Sequence, residues 1–349
     1  MNNTDNLTWG IMGAGGIVHR WINGARQAGI DIRAIASRTA EHAKKTADEL
    51  GIPEALSYEE LVSRDDIDIC YVAVPHPFHM ELAVMAMNHG KHVLVEKPAA
   101  VNAAQWQIMC DAAKKNNVFL MEAVWTRFFP AVAKLRELFT EGNLGPVKTI
   151  NCSFSGFLPA EAKDNRNLRM DLAGGGLLDM GVYCLHLCDA IYGCAPEEIT
   201  GFACINTDEN RFGVDEQAVY IARYEGGRLA NLASGVRTAM RDTAFLYAEN
   251  IAVRLPRFWK PTELFIQRIK GWGEVDEECL SFEVPSDTAV TDAYGTRPDE
   301  GFQYEIRHVE ECIREGLRES PEVTWAVTDR VLKQCDELRR QWGLKYPFE

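Results

Sequence analysis

The chain runs to 349 residues, 46% apolar and 25% charged, which leaves room for two domains with full hydrophobic cores. Its formal charge of −14 excludes a general affinity for nucleic acid or anionic membranes, though not a local site for an anionic cofactor. No apolar run of about 18 residues is available to span a bilayer, and the start, MNNTDNLTWG, lacks the charged and apolar stretches of a signal peptide.

The first predicted element lies in Thr8 to Trp21, TWGIMGAGGIVHRW: an apolar strand, a turn at Gly13, Gly15 and Gly16, and a helix starting near Ile17. A strand that ends in glycines and feeds a helix leaves backbone N–H groups pointing at the turn. The helix N-terminus adds partial positive charge, so the turn suits a phosphate. Gly13 permits the tight turn, Gly15 lets a pyrophosphate approach the backbone, and Ile17 opens the helix behind them. Val18 occupies the third position of G-x-G-x-x-G/A, so the fingerprint is incomplete. Its weight comes from its place at the head of an alternating series.

That series continues with a strand over Ile30 to Ala36, a helix over Ala40 to Leu50 and a breaker at Gly51-Ile52-Pro53. Ser57 to Glu60 reads as a capping box entering a short helix. Ile67 to Val74 is a buried strand, Phe78 to His89 a helix closed by Gly90, and Lys91 to Val95 another strand. Asn102 caps a helix to about Asn116, and Val118 to Val124 is again a strand. Short apolar strands alternating with amphipathic helices predict right-handed βαβ units and a doubly wound parallel sheet over residues 1–123.

Residues 124–349 have a different texture. A helix over Pro130 to Glu141 precedes an alternating strand over Val147 to Phe157, and Gly174-Gly175-Gly176 opens a helix over Leu177 to Tyr192. Candidate strands follow near Ile199–Asn206, Asp215–Tyr224, Arg228–Val236, Thr243–Ala248, Asn250–Leu255 and Thr262–Gln267, without helices between them. Consecutive strands of this kind predict an open, mostly antiparallel sheet in an α+β domain. Gly301 to Leu317 and Trp325 to Trp342 are helical. Ten scattered cysteines without a CxxC pair read as reduced thiols of a cytosolic protein. Cys184, Cys188 and Cys194 beside His186 lack the paired knuckles of a zinc site, so no metal is expected.

Chemistry concentrates at the carboxyl ends of the first-half strands. After Ala36 the chain has Ser37-Arg38 and no acid, with Lys44 and Lys45 in the following helix. An acid there would bond the ribose 2′-OH of NAD, whereas Arg accommodates a 2′-phosphate, so NADP is expected over NAD. Glu96-Lys97-Pro98 follows another strand, and Pro98 keeps Lys97 extended at the cleft mouth. Pro75, His76 and His79, in PHPFH, follow the strand ending at Val74.

The motifs GIMGAGGI, AVPHPFH, VLVEKPAAVNA and GGGLLDMGVY together resemble the Gfo/Idh/MocA family of oxidoreductases across the whole chain. MEAVWTRFFPA, KPTELFI and YEIRHVEECIREGLRESP resemble its dimeric trans-1,2-dihydrodiol dehydrogenases, which also act as NADP-dependent D-xylose 1-dehydrogenases. The resemblance implies a Rossmann domain, contact of Pro75, His76, His79 and Glu96 with the cofactor, and Lys97 near the nicotinamide and the reacting oxygen. It implies a homodimer joined through the sheet face.

Asp179 and Tyr183 fall four residues apart on one helix face, so both can reach one point. Many family members have His where Tyr183 stands. A phenol ordinarily ionises near about pH 10, so a cation beside it is needed for base chemistry near neutrality. Tyr183 would take the hydroxyl proton, Lys97 polarise the oxygen and Asp179 orient both; His186 is the rival base. Trp125, Phe154 and Trp259, with Arg127 and Phe157 as further candidates, would wall a pocket for a cyclic diol or a pyranose. Reduction of an anhydro-sugar ketone and oxidation of an inositol are alternatives within the family. A sugar-sensing regulator without turnover is the alternative outside enzymology, and retention of Lys97, Asp179 and Tyr183 argues against it.

Overall fold

In the computed structural model of the chain, residues 7–159, 161–162, 164–205, 213–285 and 301–349 are described. The opening residues read above for a signal peptide, up to Asn6, and Asn206 at the end of one expected strand lie outside them. The chain divides into two units: one holds the described residues to Trp125 with Val284–Thr328, the other Thr126–Glu283 with Asp329–Glu349.

In the first unit the order is β1 (Thr8–Met12), α1 (Gly16–Ala28), β2 (Asp31–Ala36), α2 (Ala40–Leu50), β3 (Glu54–Leu56) and α3 (Tyr58–Val62). It continues with β4 (Ile69–Val72), α4 (His79–Asn88), β5 (His92–Glu96), α5 (Ala103–Asn116) and β6 (Leu120–Ala123). The sheet is parallel throughout, ordered β3-β2-β1-β4-β5-β6, as the alternation of short apolar strands and helices requires. β1, β4 and β6 are buried at every position. Helix starts are fixed locally: Thr39 caps α2, Ser57 and Glu60 complete the expected capping box at α3, and the Asn102 side chain accepts from Gln105 N–H at α5. β3 has only three residues and no apolar pattern, which is why the sequence does not announce it.

The strand order reverses between β1 and β4, which makes their carboxyl ends the switch point where open α/β sheets bind ligands. There Gly13 N–H donates to Ala36 O at 2.8 Å, and Ala73 N–H to Met12 O at 2.8 Å.

The second unit carries α6 (Pro130–Thr140), β7 (Thr149–Ser155), α7 (Val182–Tyr192), β8 (Glu198–Ile205), β9 (Asp215–Tyr224) and β10 (Arg228–Gly235). β11 (Thr243–Tyr247), β12 (Ile251–Pro256), β13 (Glu263–Gly271) and β14 (Glu274–Ser281) follow. The sheet is ordered β14-β13-β12-β11-β7-β10-β9-β8 and is antiparallel except where β7 and β10 run parallel. Along β9 buried and exposed residues alternate, and in the same sheet α7 packs against β7 and β10. Phe202, Val219, Ile221 and Leu229 are exposed, and the strand register puts all four on the opposite face.

β14, EVDEECLS, is absent from the sequence reading because an acidic strand has no apolar alternation to find. Cross-strand polar pairs hold it instead: Lys270–Asp276 at 2.6 Å and Gln267–Glu277 at 2.7 Å. α8 (Phe302–Arg314) belongs to the first unit, and α9 (Trp325–Trp342) contains the boundary after Thr328. In the first unit α8 packs against α1 at Gly24, where a Cβ would stand 2.5 Å from Phe302 Cβ.

Candidate active site

In the turn after β1, the three glycines have different reasons to be glycine. Gly13 has φ +131, and a Cβ there would lie 2.1 Å from Ala73 O, so the turn after β1 rests directly on the turn after β4. Nothing lies within 4 Å of a Cβ built on Gly15 or Gly16. No side chain caps α1, and its first turn holds no acid. Val18 N–H returns to Gly15 O at 3.0 Å, and the uncapped helix start beside this open space suits an anionic phosphate group. These residues fit the pyrophosphate of a dinucleotide.

At the end of β2, Ser37 is half-buried and Arg38 exposed. Ser37 Oγ lies 3.5 Å from His42 Nδ1. Among the described residues no carboxylate pairs with Arg38. Lys44 pairs with Asp48, and Lys45 lies 3.9 Å from Glu49, so both lysines have partners on their own helix.

The turn after β5 is braced from three sides. Glu96 is buried; it accepts from Tyr71 Oη at 2.6 Å and from Lys97 N–H at 3.2 Å. The Lys97–Pro98 peptide bond is cis. Beyond it, Ala99 N–H donates to Glu122 Oε1 at 3.0 Å, and Thr328 Oγ1 donates to Glu122 Oε2 at 2.8 Å. His79 spans Val74 O (2.7 Å) and Pro98 O (2.8 Å), which ties the PHPFH turn to the Glu-Lys-Pro turn. His76 is buried 5.7 Å from it, ring edge to face.

Beneath Glu96, Tyr71 stacks on Trp21 at 4.2 Å, and burial, then Glu96, pushes its hydroxyl well above the ordinary range. Glu305 on α8 is fully buried, and neither carboxyl oxygen has a hydrogen-bond partner among the described residues. Burial, then the Glu96 charge, raises its carboxyl well above the ordinary carboxylate range, which favours the neutral acid.

In the second unit the chain enters α7 through a π-helical turn, Leu177–Gly181, where the sequence predicts a continuous α-helix. π-turns of this kind recur at functional sites. Asp179, on that turn, is buried and doubly held: Arg166 donates to Oδ1 at 2.9 Å and Asn167 Nδ2 to Oδ2 at 2.6 Å. Both donors come from a short loop that offers no motif, and the sequence reading missed them. Tyr183 is 8% exposed and meets Phe154 edge to face at 5.3 Å. Trp259 stacks on the same Phe154 at 5.3 Å, while its indole N–H donates to Asp242 at 2.6 Å.

The second unit thus brings Tyr183, Phe154 and Trp259 into one cluster. Trp125 lies in the first unit, stacked on Phe302 at 4.2 Å. Arg127, a candidate wall, instead forms a buried ion pair: it donates to Asp189 at 2.9 Å, and Arg330 donates to the other Asp189 oxygen at 2.8 Å. Phe157 is 64% exposed. His186 is buried on α7.

Residues 7–124 match the oxidoreductase family with an NAD-binding Rossmann fold, and residues 132–253 match the GFO/IDH/MocA C-terminal domain. The trans-1,2-dihydrobenzene-1,2-diol dehydrogenase of Xenopus tropicalis is 35% identical over 346 residues, 97% of this chain and 99% of that protein. The enzyme of that name from Mus musculus is 32% identical, with 98% of each chain covered. KijD10, a 3-ketoreductase from Actinomadura kijaniata solved in complex with NADP and TDP-benzene, shares the fold with a TM-score of 0.82. It is 21% identical over 97% of this chain and 98% of its own.

Proposed function

The chain belongs to the Gfo/Idh/MocA family of oxidoreductases, and from that premise we propose that it moves hydride reversibly between NADP and a secondary hydroxyl of a cyclic diol or a sugar. The observation that carries the substrate class is the wall at Tyr183: a phenol edge-on to Phe154, which is itself stacked on Trp259. Such a wall suits a ring with apolar faces and hydroxyl edges. The activity for which the dihydrodiol dehydrogenase relatives are named agrees with it.

The roles follow from chemistry. The open glycine turn and the uncapped start of α1 bind the pyrophosphate. Arg38, exposed and without a carboxylate partner among the described residues, meets the 2′-phosphate together with Ser37, so NADP is preferred to NAD. When bound, the nicotinamide supplies the hydride acceptor. Tyr183 Oη takes the proton of the substrate hydroxyl, the Lys97 ammonium polarises that oxygen and favours the phenolate, and Asp179 orients both. Pro75, His76 and His79 shape the cofactor side of the first unit, and Trp125 contributes to the substrate side.

The exposed apolar face at Phe202, Val219, Ile221 and Leu229 joins two copies into a dimer. None of the ten cysteines is joined in a disulfide, which agrees with a cytoplasmic setting, and no helix among the described residues is long and apolar enough to cross a membrane.

The test is a tryptophan-fluorescence titration with NADPH and NADH, followed by turnover with NADP on pentoses, hexoses, inositols and cyclic diols. Tighter NADPH binding with turnover on one polyol class supports the reading. Preference for NADH overturns the role of Arg38. Cofactor binding without turnover on any compound favours the sensor, or a substrate outside the panel.

A further inference from the structure

Each glycine of Gly174-Gly175-Gly176 is crowded by a different neighbour. A Cβ on Gly174 would stand 2.7 Å from Arg166 O, one on Gly176 2.7 Å from Gly235 Cα, and one on Gly175, at φ +123, 1.9 Å from Asp215 Oδ1. The helix that follows has no side-chain cap of its own. Its first N–H, Leu177, donates at 2.6 Å to Asp215 Oδ2, a carboxylate supplied by the first residue of β9. Asp215 is fully buried, and Oδ1 has no hydrogen-bond partner among the described residues.

We propose that Asp215 is a positioning residue: its carboxylate caps the helix from the neighbouring strand and fixes the turn from which Asp179 and Tyr183 project. The inference rests on the roles given to those two residues above. A cap of this kind fixes the direction of the first helical turn, and small misplacements of catalytic groups are expensive in rate.

The group is also poised to titrate. Burial pushes the Asp215 carboxyl up to about 7, against the pull of the Leu177 N–H, its own N–H, Arg339 and the Gly176 N–H. Arg339 is itself paired with Glu349 and Asp336. Tyr346, whose hydroxyl donates to Gly174 O at 2.8 Å, also faces Asp215, and Glu216 neighbours it on β9. On the helix side the Asp179 carboxylate is taken by Arg166 and Asn167.

Activity and stability therefore pull in opposite directions. The ionised form holds the helix start, so activity needs it. The folded pKa lies above the unfolded one, so the stability linked to this group is complete below the unfolded value and is lost as pH rises through about 7.

The test uses the reduction direction with NADPH and cyclohexane-1,2-dione, where protonated Tyr183 is the required form and acid favours it. Wild-type kcat is expected to fall as pH drops from about 8 to about 6. Asp215→Asn is expected to lower kcat about 10-fold or more without that fall, with KM and the NADPH Kd within about 3-fold of wild type. Its Tm is expected to exceed the wild-type Tm, by more at about pH 8 than at about pH 5. Wild-type kcat in the variant overturns the inference, as does a Tm deficit equal at every pH, the mark of a merely structural role. Tyr183→Phe separates the two readings. Turnover retained there removes the role of Tyr183 and this inference with it; turnover lost there but kept in Asp215→Asn removes this inference alone. If Asp215→Asn does not fold, wild-type protein decides. A carboxyl carbon NMR titration of Asp215 that tracks kcat sustains the inference, and a kcat flat over that range overturns it.

Discussion

Gly13 and Gly15 sit two residues apart in one turn, yet substituting them should have opposite consequences. In Gly13→Ala the new Cβ would lie 2.1 Å from Ala73 O at φ +131. Holding that φ costs about 1–3 kcal/mol. Relieving the contact shifts the turn and weakens the Gly13–Ala36 and Ala73–Met12 bonds, each about 0.5–1.5 kcal/mol. The sum is about 2–6 kcal/mol, in the range tied to backbone strain and broken core contacts. Gly15 has φ −84 and ψ 177, which any residue adopts, and no atom lies within 4 Å of the added Cβ. Gly15→Ala should change the stability of the free protein by less than about 1 kcal/mol, since a poorer N-cap and a stiffer unfolded chain offset each other. The space it fills is the space a pyrophosphate needs. With NADPH at about 100 times its Kd, wild type should gain about 2.7 kcal/mol, or about 5–10 °C in Tm. A thermal melt with and without NADPH reads both effects. Gly15→Ala with the wild-type NADPH shift would refute the placement of the pyrophosphate, and Gly13→Ala with a wild-type melt would refute the steric argument.

Other sites give sharper single readings. Arg38→Ala should weaken NADPH binding about 10-fold or more and leave NADH binding unchanged, measured by fluorescence titration, because a charge-assisted bond to phosphate is worth about 1.5–3 kcal/mol. Asn167→Ala removes one of the two donors that hold Asp179 and should lower kcat by about 10- to 100-fold with a normal melt, read by steady-state kinetics. Asp189→Ala leaves Arg127 and Arg330 without their shared carboxylate and should cost about 3–5 kcal/mol in a denaturant titration. Burial raises the Glu305 carboxyl in the fold, so the stability linked to its neutral form is lost as pH rises through that raised pKa. Glu305→Gln should therefore melt higher than wild type under alkaline conditions, by about 1–2 kcal/mol, and the gap should close in acid.

What could be read from the sequence was what local pattern encodes. The parallel sheet is visible because each strand is a short apolar run closed by a breaker, and the caps at Ser57 and Asn102 act within three residues of themselves. β14 and β3 escape for the opposite reason, being held by partners rather than by an apolar pattern of their own. The same limit applies at the site. Tyr183, Asp179 and the glycines stand in motifs, but Arg166, Asn167 and Asp215 act on them across the fold. Asp215 comes thirty-eight positions after the N–H it accepts from, and no spacing rule reaches that far. Lys44 and Lys45, which the sequence places after Arg38, pair with Asp48 and Glu49 one helical turn away, a contact visible from spacing alone.

The two glycine-rich turns make the deeper point. Both precede a helix whose N-terminus lacks a side-chain cap of its own, and both therefore present backbone N–H groups that want an anion. At Gly174-Gly175-Gly176 the fold supplies that anion itself, and Asp215 sits so close that Gly175 has no room for a Cβ. At Gly15-Gly16 it supplies none, and the space stays clear to 4 Å. A fold that fills one such turn with a buried carboxylate, at the expense of raising that carboxyl to about 7, has the means to fill the other. Leaving it open while keeping glycine there gains nothing for stability, since Ala would fit the backbone at Gly15 without strain. The open turn is explained by a ligand that brings its own negative charge, and the filled one by a helix that must be held still.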